Sequence, residues 1–213
     1  MKAILKSNLS FLFPYLIFLL IGAILIVINS KADTHLEFNS YHSSFFDIFF
    51  RYVTNLGDGV TAVLIVIILL VVKFKYAVIV GLANIISTGI TQTLKHTLFS
   101  DVVRPKKFFE GIHDLYFVPG VDNYLYNSFP SGHSTCAFSL YFSLALIIEN
   151  KRYKLLLFVL AFLVGYSRIY LSQHFLEDVY AGSIIGVVTS FIVFYFIQKS
   201  KRGWLEKSLI SVF

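Results

Sequence analysis

The sequence predicts an all-α, polytopic membrane protein with six transmembrane helices in one domain, residues 1–213. Composition is the first reason: 57% of the residues are hydrophobic and only 14% are charged, whereas a soluble domain carries about a quarter charged residues. The second reason is grouping, because the apolar residues fall into runs near the ~20 needed to cross a bilayer. The third is sidedness. With six spans, Lys2, Lys6, Lys73, Lys75, Lys151, Arg152, Lys154, Lys199, Lys201, Arg202 and Lys207 all lie on one side, with only Glu149 and Glu206 as acids there. Lysine and arginine in short loops stay cytoplasmic, so both termini are expected inside and the opposite end of the bundle outside. The net charge of +6 is thus read as membrane sidedness, and nucleic acid is not an expected partner.

The first span is placed at about 9–28. Lys2 and Lys6 precede it and Ser30-Lys31-Ala32 has the form of a small-x-small cleavage site, so a cleaved signal peptide competes with a retained helix. The run is longer than a usual signal core, and a retained helix is expected. Residues 29–55 carry Phe45, Phe46, Phe49, Phe50 and Tyr52 among polar neighbours. They suit either a short interfacial helix or a segment packed over the bundle. The second span, 56–72, is short, with Gly57-Asp58-Gly59 at its outer end. The third, 76–94, carries Asn84, Thr88, Thr91, Gln92 and Lys95, whose spacing puts them on one helical face. That face is expected to turn inward, since polar atoms facing lipid would go unsatisfied. The last three spans are 132–148, 155–172 and 179–198. The short links 73–75 and 149–154 join antiparallel neighbours. Gly182 and Gly186 have the small-xxx-small spacing of close helix packing. Cys136 is the single cysteine and excludes an intramolecular disulfide.

Chemistry concentrates at the expected outer ends. Pro130-Ser131-Gly132-His133 opens a helix. Proline suits a first turn, and free N–H groups at such a terminus bind anions. Ser167-Arg168 and, five residues on, His174 followed after three by Asp178 form the more specific group. At i and i+4, His174 and Asp178 are expected on one helix face, with the carboxylate holding one ring nitrogen and leaving the other as a nucleophile. Arg168 offers a planar fork for phosphate oxygens. Lys95 and Arg104-Pro105 add cations that would stabilise a transferring phosphoryl group. No acid–histidine spacing suggests a metal site, and no cofactor is expected. His35, His42, His96 and His113 are read as loop or interface residues.

Together these residues resemble the type-2 phosphatidic acid phosphatase (PAP2) superfamily, over about 56–198. Its Pro-Ser-Gly-His and Ser-Arg-x5-His-x3-Asp elements match residue for residue. Its Lys…Arg-Pro element departs, because eight residues separate Lys95 from Arg104, a longer interval than is usual there. The resemblance implies a PAP2-type helical core and metal-independent dephosphorylation through a phosphohistidine. It makes His174 the nucleophile, Asp178 its orienting group and His133 the general acid, with Lys95, Arg104, Ser131, Gly132 and Arg168 holding phosphate oxygens. The implied partners are the bilayer and a membrane lipid phosphate: phosphatidic acid, phosphatidylglycerol phosphate, a polyprenyl diphosphate or lipid A phosphate. The implied place is a bacterial cytoplasmic (inner) membrane, with the site facing the periplasm or exterior. A lipid-to-lipid phosphotransferase using the same histidine is the closest alternative, and a non-enzymatic transporter is further off. The aromatic-rich loop 105–129, with Phe108, Phe109, Tyr116, Phe117, Tyr124, Tyr126 and Phe129, is expected to form a lid dipping into the outer leaflet.

Overall fold

The computed structural model describes residues 2–211, which form a helical bundle. Helix α1 (Lys2–Ser7) leads into α2 (Leu9–Ile28), followed by the short helices α3 (Lys31–Asn39) and α4 (Ser44–Val53). A 3-10 turn, Thr54–Gly57, precedes α5 (Gly59–Val72), and α6 (Phe74–Thr97) runs back toward the motif-bearing end. The one-turn α7 (Pro105–Phe108) punctuates the long irregular segment before α8 (Gly132–Ile147), α9 (Lys151–Tyr170) and α10 (Leu176–Gln198).

Four helices, α2, α6, α9 and α10, are long and apolar enough to cross a bilayer. The other two expected spans differ in form. Residues 44–57 and 59–72 form a pair bent by 53°. Asp58 is extended there because Gly-Asp-Gly is a poor helix former. Helix α8 has 16 residues, about 24 Å of helix against a hydrocarbon core of ~30 Å. It needs no full span because it barely meets lipid: nearly every residue from Ser134 to Leu146 is buried. A helix apolar all round belongs at the centre of its fold, and α6, α9 and α10 pack around this one.

The first long helix joins the bundle. Phe11 of α2 sits 4.9 Å from the Phe142 ring and 5.6 Å from Phe158. At the end away from the motifs, the Lys154 ammonium donates to the Ser7 carbonyl and to Asn8 Oδ1 at 2.9 and 2.7 Å, which suits the C-terminus of α1. Glu206 pairs with Lys73 and Lys75. The basic segments therefore gather at one end of the molecule.

The polar stripe of α6 does turn inward, with one correction. Asn84, Ser87, Thr91 and Lys95 are buried, Thr88 is half-buried and Gln92 is exposed. Thr91 Oγ1 meets Thr135 Oγ1 of α8 at 3.0 Å. One residue on, Gln92 is rotated by about 100°, which carries it off that contact.

Helices α8 and α10 run parallel and very close. A Cβ on Gly186 would lie 2.6 Å from the Thr135 carbonyl oxygen and 2.8 Å from Ser139 N, and one on Gly182 would lie 2.6 Å from the Ser131 carbonyl oxygen. Those neighbours are backbone and cannot step aside. Gly186→Ala should therefore separate the two helices and lower the thermal midpoint in detergent, at a cost of about 1–3 kcal/mol. Gly89→Ala, where nothing lies within 4 Å, should leave the midpoint unchanged or raise it. Equal midpoints for the two variants would contradict this packing.

Candidate active site

The end of α9 brings the second motif together. Past Tyr170 the chain turns through Ser172, whose φ of 52° is in the left-handed region used to stop helices. The N–H groups of Gln173 and His174 both return to the Arg168 carbonyl, at 2.9 and 3.1 Å. The five-residue interval between Arg168 and His174 thus has a physical meaning: it is one helix-terminating turn that stacks the histidine back on the arginine. Buried His35 of α3 supports this turn, with Nε2 3.2 Å from Ser172 Oγ and its ring against Phe109 and Phe175. This residue is not the loop or interface histidine expected from sequence.

His174 and Asp178 do meet, but not on one helix face. His174 lies in the turn, two residues before α10, and Asp178 is in the first turn of that helix. Asp178 Oδ2 accepts from the Phe175 N–H at 2.9 Å, from Ser128 Oγ at 2.5 Å and from His174 Nδ1 at 3.2 Å. The first bond is the acidic half of a capping box, and it pulls the turn over the helix start. An ionised carboxylate only accepts, so Nδ1 carries the proton and Nε2 keeps its lone pair. Among the described residues Nε2 has no hydrogen-bond partner. Burial, reinforced by Arg104, Arg168 and Lys95, holds the His174 imidazole well below the ordinary histidine range, so it is neutral at pH 7.

Three cations act on this ring. Lys95, Arg104 and Arg168 are all buried, and all three act electrostatically on His174. The longer Lys95–Arg104 interval is absorbed by α6 running on to Thr97 and a turn behind it. Arg168 donates from Nη1 to Thr54 Oγ1 at 2.6 Å and from Nη2 to Gln173 Oε1 at 3.3 Å, while Nε is buried with no partner among the described residues. Arg104 is more fully engaged. It donates to the carbonyls of Tyr126, Gln173 and Asn127 and to Gln173 Oε1. Burial lowers its proton affinity from the usual arginine value.

The helix start contributes a different set of atoms from the expected one. Ser131 is buried; its N–H donates to the Asp178 carbonyl at 3.0 Å, and its hydroxyl caps α8 by accepting from Ser134. That leaves the Gly132 and His133 N–H groups, the first two of the helix, for an anion. His133 lines a cleft of about 410 Å³ together with Thr54, Asn55, Tyr124, Arg168 and Gln173. The 3-10 turn that supplies Thr54 fits only because of Gly57, whose Cβ would fall 2.4 Å from Val164 Cγ1 and 2.9 Å from the His133 carbonyl oxygen. Among the described residues no three or more His, Cys, Asp or Glu side chains converge.

Residues 73–202 match the family described as the PAP2 superfamily, which is more than half of the chain. The chain belongs to the PAP2 superfamily. A lipid A 4'-phosphatase of Bacteroides thetaiotaomicron is 27% identical over 186 residues, 83% of this chain and 81% of that protein. A bacitracin transport permease protein BcrC of Bacillus licheniformis is 40% identical over 75 residues, which is 35% of this chain and 36% of the relative; the matched part thus spans about a third of BcrC. The crystal structure of Aquifex aeolicus LpxE superposes with a TM-score of 0.69 at 27% identity, covering 77% of this chain and 94% of that one.

Sequence reasoning missed Gln173, Ser128 and Thr54. Gln173 lies inside the Ser-Arg-x5-His interval, and nothing in the sequence around it marks it as buried. Ser128 and Thr54 sit in stretches where polar residues are unremarkable. The aromatic lid also needs revision. Phe109 is buried, and Phe108 packs on Phe109 and Phe175 at 5.0 and 5.4 Å, so this pair anchors the loop. Tyr124, exposed and 5.4 Å from the Arg104 guanidinium carbon, stands at the cleft instead.

His35 makes this architecture pH-sensitive. Burial lowers its pKa to about 4, against ~6.5 unfolded. The unfolded chain therefore binds the proton first, and stability held above pH 6.5 is lost as pH falls toward 4. The loss between pH 7 and pH 5 should be on the order of 2 kcal/mol. His35→Phe, which keeps the aromatic stack, should show a smaller drop in thermal midpoint over that interval. An unchanged drop would remove His35 as its source.

Proposed function

We propose that this PAP2 protein is a lipid phosphatase that acts at the outer face of a bacterial cytoplasmic membrane through a phosphohistidine, without a metal. The observation carrying the proposal is the state of His174: Nδ1–H is held by Asp178, Nε2 is free among the described residues, and three buried cations act on the ring. A neutral imidazole of this kind needs no further base to attack. Its Nε2 lone pair forms the P–N bond while the bond from phosphorus to the lipid oxygen breaks. His133, which takes up a proton once the negative phosphate is bound beside it, passes that proton to the departing alkoxide and then takes one from the water that cleaves the P–N bond. Lys95, Arg168, Arg104 and the free N–H groups of Gly132 and His133 stabilise the charge on the phosphoryl oxygens. Ser131 supports them as the helix cap.

The lipid nature of the substrate is supported by the apolar helices around the site and by the relatives. A relative matched along most of its length is named for lipid A, which supports a lipid phosphate of the group formed by lipid A phosphate, phosphatidic acid, phosphatidylglycerol phosphate and polyprenyl diphosphate. Outward orientation is supported by the basic residues gathered at the other end.

Two variants test the chemistry. His174→Ala should lose on the order of 10³-fold or more in phosphate release, because nucleophile and cage act as a unit. Near wild-type turnover in that variant would refute the phosphohistidine route, and inhibition by EDTA that Mg²⁺ reverses would refute the metal-free one. His133→Ala should lose about 10²–10⁴-fold on substrates with an alkyl alcohol leaving group. On a nitrophenyl phosphate, whose leaving group needs no proton, the loss should be much smaller. Equal losses on both would reduce His133 to a phosphate-positioning role.

A further inference from the structure

We infer that Gln173 is a positioning residue that clips Arg104 and Arg168 together while leaving their charge available to substrate; this rests on the phosphatase reading above. Its side-chain oxygen accepts from Arg104 Nη1 at 3.4 Å and from Arg168 Nη2 at 3.3 Å. Its amide nitrogen donates to the Asp122 carbonyl at 2.7 Å, and Asp122 also lines the cleft. Guanidinium groups only donate, so the two arginines dictate which end of the amide faces them. The side chain is buried, which keeps the bridge out of competition with water.

The need for such a clip follows from electrostatics. Two buried guanidinium groups sharing one acceptor repel each other, and in a poorly screened site that repulsion is large. Among the described residues the Arg168 side chain has one other anchor, Thr54 Oγ1; without Gln173 its free Nε would lose its aim. A carboxylate would hold both arginines more strongly, but it would also neutralise them and occupy the charge that a phosphate must meet. An amide oxygen gives the geometry without the charge. Arg104 keeps a separate bond to the Gln173 backbone carbonyl at 3.1 Å, so a side-chain change acts mainly through Arg168.

The test uses the full-length chain in detergent, as wild type, Gln173→Met, Gln173→Glu, Arg168→Lys and the Met/Lys double variant. Hydrolysis of a lipid phosphate is measured alongside calorimetric binding of orthovanadate, a phosphate analogue, and the thermal midpoint. Gln173→Met should lower kcat/KM about 10- to 100-fold, the worth of a hydrogen bond to a charged group, and should weaken orthovanadate binding. Its effect should largely vanish in the Arg168→Lys background, because the two residues act as one unit. Gln173→Glu, which keeps an acceptor in place, should still bind orthovanadate at least about tenfold more weakly, since each tenfold step corresponds to one modest charge interaction. Fully additive losses in the double variant, a lower thermal midpoint with unchanged kcat/KM and orthovanadate affinity, or tighter binding in Gln173→Glu would each overturn the inference. A wild type that binds orthovanadate but hydrolyses no lipid phosphate would refute the proposed function, and the binding comparison would still decide the role of Gln173.

Discussion

One buried carboxylate organises the site. Asp178 Oδ2 takes three donors from three parts of the chain: the Phe175 N–H at the start of α10, His174 in the turn before it, and Ser128 from the loop before α8. The Asp178 backbone carbonyl accepts from Ser131, the cap of α8. Helix capping, orientation of the His174 ring and the join between the two motif-bearing helices therefore meet at one residue. A buried charge left unpaired is costly, so every one of these contacts is held by the penalty for losing it.

The charge balance around that carboxylate explains what the site is built to hold. Lys95, Arg104 and Arg168 outnumber the acids acting on them, Asp178 and, for Arg168, Asp58, in a region shielded from water. Part of this excess is spread over neutral acceptors: the carbonyls of Tyr126, Asn127 and Gln173, the Gln173 amide and the Thr54 hydroxyl. What remains among the described residues is an excess of positive charge, the first two N–H groups of α8, and an arginine Nε with no partner. A doubly charged phosphate group would complete the pairing. Cations held together in a shielded region repel one another, and a bound anion offsets that repulsion, which favours binding before any chemistry begins.

The packing of the scaffold serves the same end. Gly182 and Gly186 let α8 and α10 lie side by side, which brings the starts of the two helices, with His133 and His174, to the same end of the bundle. Gly57 lets the 54–57 turn press against α8 and α9, which is what puts Thr54 on Arg168. Helix α8 is short because it is enclosed; its length is set by its neighbours and not by bilayer thickness.

The sequence alone determined the helical class, the membrane setting, the inward stripe of α6 and the identity of the motif residues. Hydropathy runs, polar spacing and the two unbroken motifs are local properties, written in consecutive residues. It could not determine that His174 would reach Asp178 from a turn rather than along a helix, since i to i+4 spacing is the same in both and the left-handed Ser172 decides between them. Nor could it show that Ser131 caps while Gly132 and His133 offer their N–H groups, that Arg104 is mostly spent on carbonyls, or that Phe108 and Phe109 face inward. Those outcomes depend on which distant atoms arrive to satisfy a buried donor or fill a gap. Gln173 is the clearest case: one glutamine beside a motif histidine has no meaning in the chain, and acquires one only when α9, the 122–127 loop and Arg104 close around it.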